Sequence, residues 1–322
     1  SGGTRSTLVY LRGVGPAVTP PPSSDGNRAR YVAMDGPEGP SRLLAAMTPR
    51  TALVMVESPT NPMMRICDLR ALARVAHSRG QNQIVGSGKP RGALLSVDNT
   101  LMTGLLIKPL ELGADLCVTS CTKFACGHSD TMAGVVAAKD PEVAKHLYFI
   151  QNAEGTGLAP FDCWLLLRGL KTMPLRLERG QANALKVARM LEAHPRVQEV
   201  YYAGLEGSKD KAMHDAQAKG AGVVVCFRTG SYATSTAVAS ACANTGLFKI
   251  TVSFGSVNSL ISLPGDMSHA SIPDEVKNER EFPADIIRLS IGIESASDLI
   301  NVLSTALHNS PPVAAGPSQA KL

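Results

Sequence analysis

Aromatic side chains are scarce in this chain of 322 residues: one Trp, six Tyr and seven Phe, 4% of the total. A surface that stacks bases is therefore hard to build. The 32 Lys and Arg against 27 Asp and Glu give a net charge of only +5, with the basic residues scattered. No basic stripe interleaved with aromatics forms, so a nucleic-acid partner is not expected. Long hydrophobic runs are also missing; none approaches the roughly 18 apolar residues that cross a bilayer. The chain reads as soluble, with no membrane partner. Paired cysteines are missing too. Seven cysteines, an odd number, form no disulfide framework and fit a reducing compartment. Cys117, Cys121 and Cys126 cluster near His128, but their spacing matches no CxxC pair. Cys117 lies inside an apolar run, where cysteine is a small hydrophobe, and no metal site is expected. The opening SGGTRSTLVY has no initiator Met, no apolar signal core and no amphipathic Arg/Ser presequence. It reads as a start inside something longer.

What is present is 44% hydrophobic residues in a chain long enough for two domains. After a short apolar patch at Leu8–Leu11 comes a Pro/Ser/Asp/Asn-rich loop, 16–27, then a short helix expected over 41–48. Leu53-Val54-Met55-Val56 is an unalternating strand pattern, as in a sheet covered on both faces. It stops at Ser58-Pro59-Thr60-Asn61-Pro62. Asp68 then opens a helix with Leu69, Leu72, Ala73 and Ala76 on one face, and Gly80 ends it. Residues 81–91 are polar and Gly-rich and read as an insertion. A second buried strand, 93–97, ends at Asp98-Asn99. A short link over 110–113 leads to a third strand, Leu116-Cys117-Val118. Strand, helix, strand, link, strand is the pattern of a parallel α/β sheet, in which ligands gather beyond the carboxyl ends of the strands. Asn61, Asp98 and Ser120 to Lys123 all fall there. Helical periodicity follows over 142–150 and 161–192. Short strand patterns at 199–202, 223–227, 250–254 and 286–291, with a helix over 233–242, make a second, smaller α+β unit. The expected division is a large domain over 1–175, a small domain over 176–308 and a disordered Pro/Ala/Ser-rich tail over 309–322.

The chain is organised around residues 118–132, VTSCTKFACGHSDTM. A lysine at the mouth of a buried sheet is costly to desolvate unless something uses it. One use is a neutral amine that attacks a carbonyl. The hydroxyls of Ser120 and Thr122 beside Lys123 can hold a phosphate. An amine and a phosphate cradle are what a pyridoxal phosphate enzyme must supply. Taken alone, Lys123 also fits a solvated loop lysine.

SPTNP (58–62), SVDNT (96–100), TSCTKFACGHSD (119–130) and RLSIGIES (288–295), occurring in this order, resemble the Cys/Met metabolism enzymes. These are pyridoxal 5'-phosphate enzymes of fold type I, with a mostly parallel central sheet flanked by helices and a smaller C-terminal α+β domain. The resemblance covers nearly all of residues 1–307. Within the family, segments 157–173, 194–205, 218–222 and 253–273 look most like the plant-type cystathionine β-lyase branch. The resemblance implies that Lys123 is the Schiff-base lysine and that Asp98 pairs with the pyridine nitrogen. It assigns Ser120 and Thr122 to the phosphate and Asn61 to the ring hydroxyl. It makes Arg288 the clamp on the substrate carboxylate, with Ser253 near it. The implied reaction is β-elimination of cystathionine to homocysteine, ammonia and pyruvate, in transsulfuration toward methionine. γ-Synthase and γ-lyase activities are the competing readings.

The family's N-terminal segment carries a Tyr and an Arg to a neighbouring subunit's phosphate, and its YGGT motif stacks a Tyr on the ring. Here the chain opens Ser1-Gly2-Gly3-Thr4, and SCTK stands where SATK is usual. A homotetramer built from dimers is implied where the N-terminal segment is present. A catalytically impaired relative that serves only as an oligomer partner is the other possibility. Resemblance implies a plastid location, with the cytoplasm as alternative.

Overall fold

The computed structural model describes residues 30–80, 92–267 and 283–311, together with the backbone of one strand, Thr7–Tyr10 (β1). The apolar patch at the start is that strand, which pairs in parallel with Thr51–Glu57 (β2). Leu94–Asp98 (β3) and Leu116–Ser120 (β4) continue in parallel, and Gly134–Ala138 (β5) closes the row antiparallel to β4. The sheet order is thus the chain order, β1-β2-β3-β4-β5. The expected loop over 16–27 and the insertion at 81–91 lie outside the described residues.

The nearly continuous burial of β3 follows from coverage by Leu69–Ser78 (α2), against which Gly39–Ala46 (α1) packs. The second helix forms where its cap and stripe require. The Asp68 side chain accepts from Ala71 N at 2.9 Å, and Leu69, Leu72, Ala73 and Ala76 are buried. A short helix, Thr103–Leu106 (α3), and a 3₁₀ turn over Pro109–Leu112 supply the link to β4.

Beyond β5 come Pro141–Ala153 (α4), Pro160–Leu170 (α5) and Met173–Glu192 (α6). The single helical stretch expected over 161–192 is therefore two helices. The chain turns at Lys171-Thr172, and Pro174 opens the new helix.

A second sheet has the order Glu199–Tyr201 (β6), Val224–Arg228 (β7), Ile286–Ser290 (β10), Leu260–Ser262 (β9), Lys249–Ile250 (β8). The strand expected over 250–254 shrinks to Lys249–Ile250, because Val252 and Ser253 turn their carbonyls to Arg288 instead of a ladder. Lys211–Asp215 (α7), Tyr232–Asn244 (α8) and Ala296–Asn309 (α9) complete this unit. The expected tail is ordered at its start: Asn309 belongs to α9, and Pro311 O accepts from Arg196 and from Thr234.

Each sheet has its own core, and α6 joins them. Leu177 packs in the first cluster, while Ala184, Val187, Ala188 and Leu191 pack in the second. Val224, Cys226 and Ile286 of the second sheet also reach the first cluster, so the two units are packed together.

Candidate active site

The carboxyl ends of β2, β3 and β4 deliver Asn61, Asp98 and Ser120, and the turn after β4 delivers Lys123. That turn is heavily braced. Cys126 N donates to Cys121 O at 2.9 Å and Gly127 N to Lys123 O at 2.8 Å. The guanidinium of Arg176 in α6 donates to Phe124 O (2.8 Å), Ala125 O (3.3 Å) and Gly169 O (2.8 Å). Gly169 lets α5 touch the same turn, since a Cβ there would stand 2.4 Å from Cys126 O.

Lys123 Nζ donates to Ser253 Oγ at 2.7 Å and sits 5.0 Å from the centroid of the Phe254 ring. Burial, followed by the nearby charge of Arg288, holds its amine below the ordinary lysine range. Arg288 lies on β10, flanked by β7 and β9, and is 2% exposed; it is no edge-strand surface arginine. Its Nη1 donates to Asn61 Oδ1 at 2.9 Å, and its Nη2 to Val252 O at 3.0 Å and Ser253 O at 3.1 Å. The guanidinium carbon stands 5.2 Å from the same Phe254 ring. Two cations therefore share one aromatic ring, which lowers the cost of holding them close.

Four of the seven residues singled out in the sequence (Lys123, Ser253, Arg288 and Asn61) thus form one hydrogen-bonded and aromatic cluster across both units. Asp98 and Ser120 meet through a residue not anticipated. Thr100 N donates to Asp98 Oδ1 at 2.9 Å, and Thr100 Oγ1 accepts from Ser120 N at 2.8 Å. Thr122 stands apart: its hydroxyl accepts from Ala133 N at 3.0 Å and lies 3.4 Å from Ala133 O. Thr100 and Phe254 adjoin motif residues and were within reach of the sequence. Arg176 carried no signal, since it is one arginine among several on a helix.

A half-buried amine of depressed basicity, a carboxylate at the neighbouring strand end and hydroxyls at the next fit a phosphorylated aromatic aldehyde. Fold and site together define a pyridoxal-phosphate-dependent enzyme of fold type I. Residues 28–308 match the model of the Cys/Met metabolism PLP-dependent enzymes. The chain is 52% identical over 267 residues to a chloroplastic cystathionine β-lyase of Arabidopsis thaliana, covering 83% of this chain and 54% of that one. It is 42% identical over 306 residues to a cystathionine β-lyase of Neurospora crassa, with 95% and 61% covered. A solved cystathionine γ-synthase from Xanthomonas oryzae pv. oryzae, in complex with cystathionine, superposes with a TM-score of 0.82 at 33% identity. That match covers 95% of this chain and 76% of the other. The chain belongs to the Cys/Met metabolism PLP-dependent enzyme family and shares its pyridoxal 5'-phosphate cofactor. It spans little more than half the length of these two curated relatives. Among the described residues no helix is long and apolar enough to cross a membrane, and no group of three or more His, Cys, Asp or Glu side chains could hold a metal ion.

Proposed function

We propose that the chain is the catalytic part of a carbon–sulfur lyase that cleaves L-cystathionine by β-elimination, releasing homocysteine, pyruvate and ammonia, in methionine biosynthesis. The observation that carries this reading is the Lys123–Ser253 contact at 2.7 Å beside a buried Arg288. It joins a proton carrier and a carboxylate receptor in one place. Similarity to β-lyases from a plant and a fungus supports the choice of reaction.

When bound, pyridoxal phosphate supplies the electron sink for the pair left at Cα. In this reading Lys123 would hold the aldehyde of the cofactor, and its amine would move a proton between the substrate Cα and the departing sulfur. Burial and then the charge of Arg288 lower its basicity, which favours the neutral amine. Ser253 Oγ fixes the direction of the amine. Asp98 holds positive charge on the ring nitrogen, with Thr100 keeping the carboxylate oriented. Ser120 and Thr122 would hold the phosphate. Asn61 reaches the ring hydroxyl through the amide end that Arg288 does not occupy. Arg288 takes the substrate carboxylate, for which a planar fork is suited.

Borohydride treatment of the holoprotein followed by peptide mapping should place the cofactor on Lys123. Cystathionine should then yield pyruvate. Release of 2-oxobutyrate instead would assign γ-elimination. A colourless protein that co-purifies only with an active homologue would make it an oligomer partner.

Assembly as a homotetramer belongs to the same reading, and so does a plastid location, since the Arabidopsis relative is named as chloroplastic. Tyr148 and Phe149 of α4 and Phe161, Trp164 and Leu167 of α5 are exposed large apolar side chains of the kind an assembled molecule would cover. Light scattering of the purified chain tests the assembly.

A further inference from the structure

A cavity of about 780 Å³ shares Thr122 and Ser253 with the site and extends past Ser256 and Asn258 to an exposed rim at Lys249. Its wall also carries Asp130 and Asp162. The roles assigned above account for the end at Ser253 and leave the rim unused. Lys249 is the one lysine or arginine among the described lining residues. Asp130 Oδ1 accepts from the Cys126 thiol at 2.9 Å, and Asp162 Oδ1 accepts from Thr131 Oγ1 at 2.8 Å. Both carboxylates are thereby steadied on the cavity wall. Backbone pairing with Leu260 fixes Lys249 on β8, while its side chain is exposed.

One cation and two anions on the wall complement the carboxylate and ammonium of an α-amino acid. Lys249 precedes Ser253 by four residues, so their backbones stand at most about 14 Å apart. A thioether with five bonds between its two α-carbons spans roughly 6 Å, and a lysine stem covers a comparable distance. The two groups can be bridged by one such molecule.

We propose that Lys249 receives the distal carboxylate of substrates whose leaving sulfur carries a second amino-acid end. It thereby selects them over short S-alkyl cysteines. This rests on the lyase reading above. Because the lysine is exposed and screened, its contribution is modest, about fivefold in affinity.

The test compares wild type, Lys249→Gln and Lys249→Arg as holoproteins, with L-cystathionine and S-methyl-L-cysteine. Steady-state kinetics is paired with calorimetric binding in the Lys123→Ala background. For Lys249→Gln, KM and Kd for cystathionine should rise about fivefold with kcat nearly constant. The values for S-methylcysteine should not move, and Lys249→Arg should restore the difference. Equal effects on both ligands, or none on either, overturn the proposal. If wild type turns over neither compound but the binding difference persists and follows Lys249, the subsite stands and the lyase reading falls. If turnover proceeds with no dependence on Lys249, the reverse holds.

Discussion

At the residue scale the site sets Lys123 and Arg288 over the same Phe254 ring. Burial contributes most to the low basicity of Lys123, and Arg288 adds to it. Removing a neighbouring positive charge favours protonation, so Arg288→Gln should raise the amine's pKa while the larger contribution from burial remains. The measurable result is the pH dependence of Lys123 acetylation in cofactor-free protein, read by peptide mapping. The wild-type curve should rise at lower pH than that of an exposed lysine, and the variant's curve should lie between the two. Arg288→Lys is a harsher change than its charge suggests. A single ammonium cannot span Asn61 Oδ1 and the carbonyls of Val252 and Ser253 in the plane that the guanidinium occupies. Leaving buried acceptors unpaired costs about 1–3 kcal/mol. A urea-denaturation midpoint should fall accordingly, and kcat/KM for cystathionine should drop on the order of 100-fold. Unchanged values in both would remove Arg288 from the substrate site.

At the scale of elements, the segment after β8 is pressed against the lysine turn, and Gly255 makes this possible. Its φ is +84°, and a Cβ there would stand 2.9 Å from the Lys123 carbonyl carbon, the Lys123 Cβ and Phe124 N. Its N–H donates to Ser290 Oγ at 2.9 Å, which locks the segment to β10. Gly255→Ala should therefore destabilise by about 1–3 kcal/mol through backbone strain and displacement. It should also weaken cofactor retention in dialysis, because Lys123 and Ser253 move apart. Gly246→Ala, with positive φ but open space, should cost stability alone. These contacts mark the limit of what the sequence discloses. The first sheet was legible because its signals are local: an unalternating run for β2, and Asp68 with a four-residue stripe for α2. The lysine turn was legible because hydroxyls and an amine stand together. Three strands of the second sheet were legible too, at 199–202, 223–227 and 286–291, but their order was not, since it depends on pairings between distant segments. Arg288 meets Asn61 across 227 positions, and Lys123 meets Ser253 across 130. A family resemblance assigned those residues to one site; periodicity could not. It also gave no account of α9, β9 or the clamp made by Arg176.

At the scale of the whole molecule, α7 carries, and α9 packs against, histidines that hold best when neutral. His214 is buried, with its Nε2 2.8 Å from Gly220 O and its Nδ1 without a hydrogen-bond partner. A proton on Nδ1 would be a buried donor facing nothing, and burial pulls the pKa below the ordinary value. His194, against His308 of α9, accepts from Arg196 N through Nδ1 at 3.2 Å. Its pKa is also lowered, first by burial, then by His308 and Arg196. Both shifts have the same sign for linkage. Between the depressed folded pKa and the unfolded one near 6.5, the unfolded chain binds more protons than the folded chain. Stability is therefore complete above about pH 7 and declines as the pH falls through 6.5 toward the folded values. Thermal melts from pH 8 to 5 should show Tm falling through this window, before the carboxylates titrate. His214→Gln, which keeps a donor to Gly220 and cannot gain charge, should flatten the fall without raising the Tm at pH 8. The fall should be seen in near-ultraviolet dichroism and in the loosening of α9, measured by amide exchange at residues 296–309. If the protection factors of the α9 amides, corrected for the intrinsic pH dependence of exchange, are the same at pH 8 and pH 5.5, the histidine pair does not hold that helix.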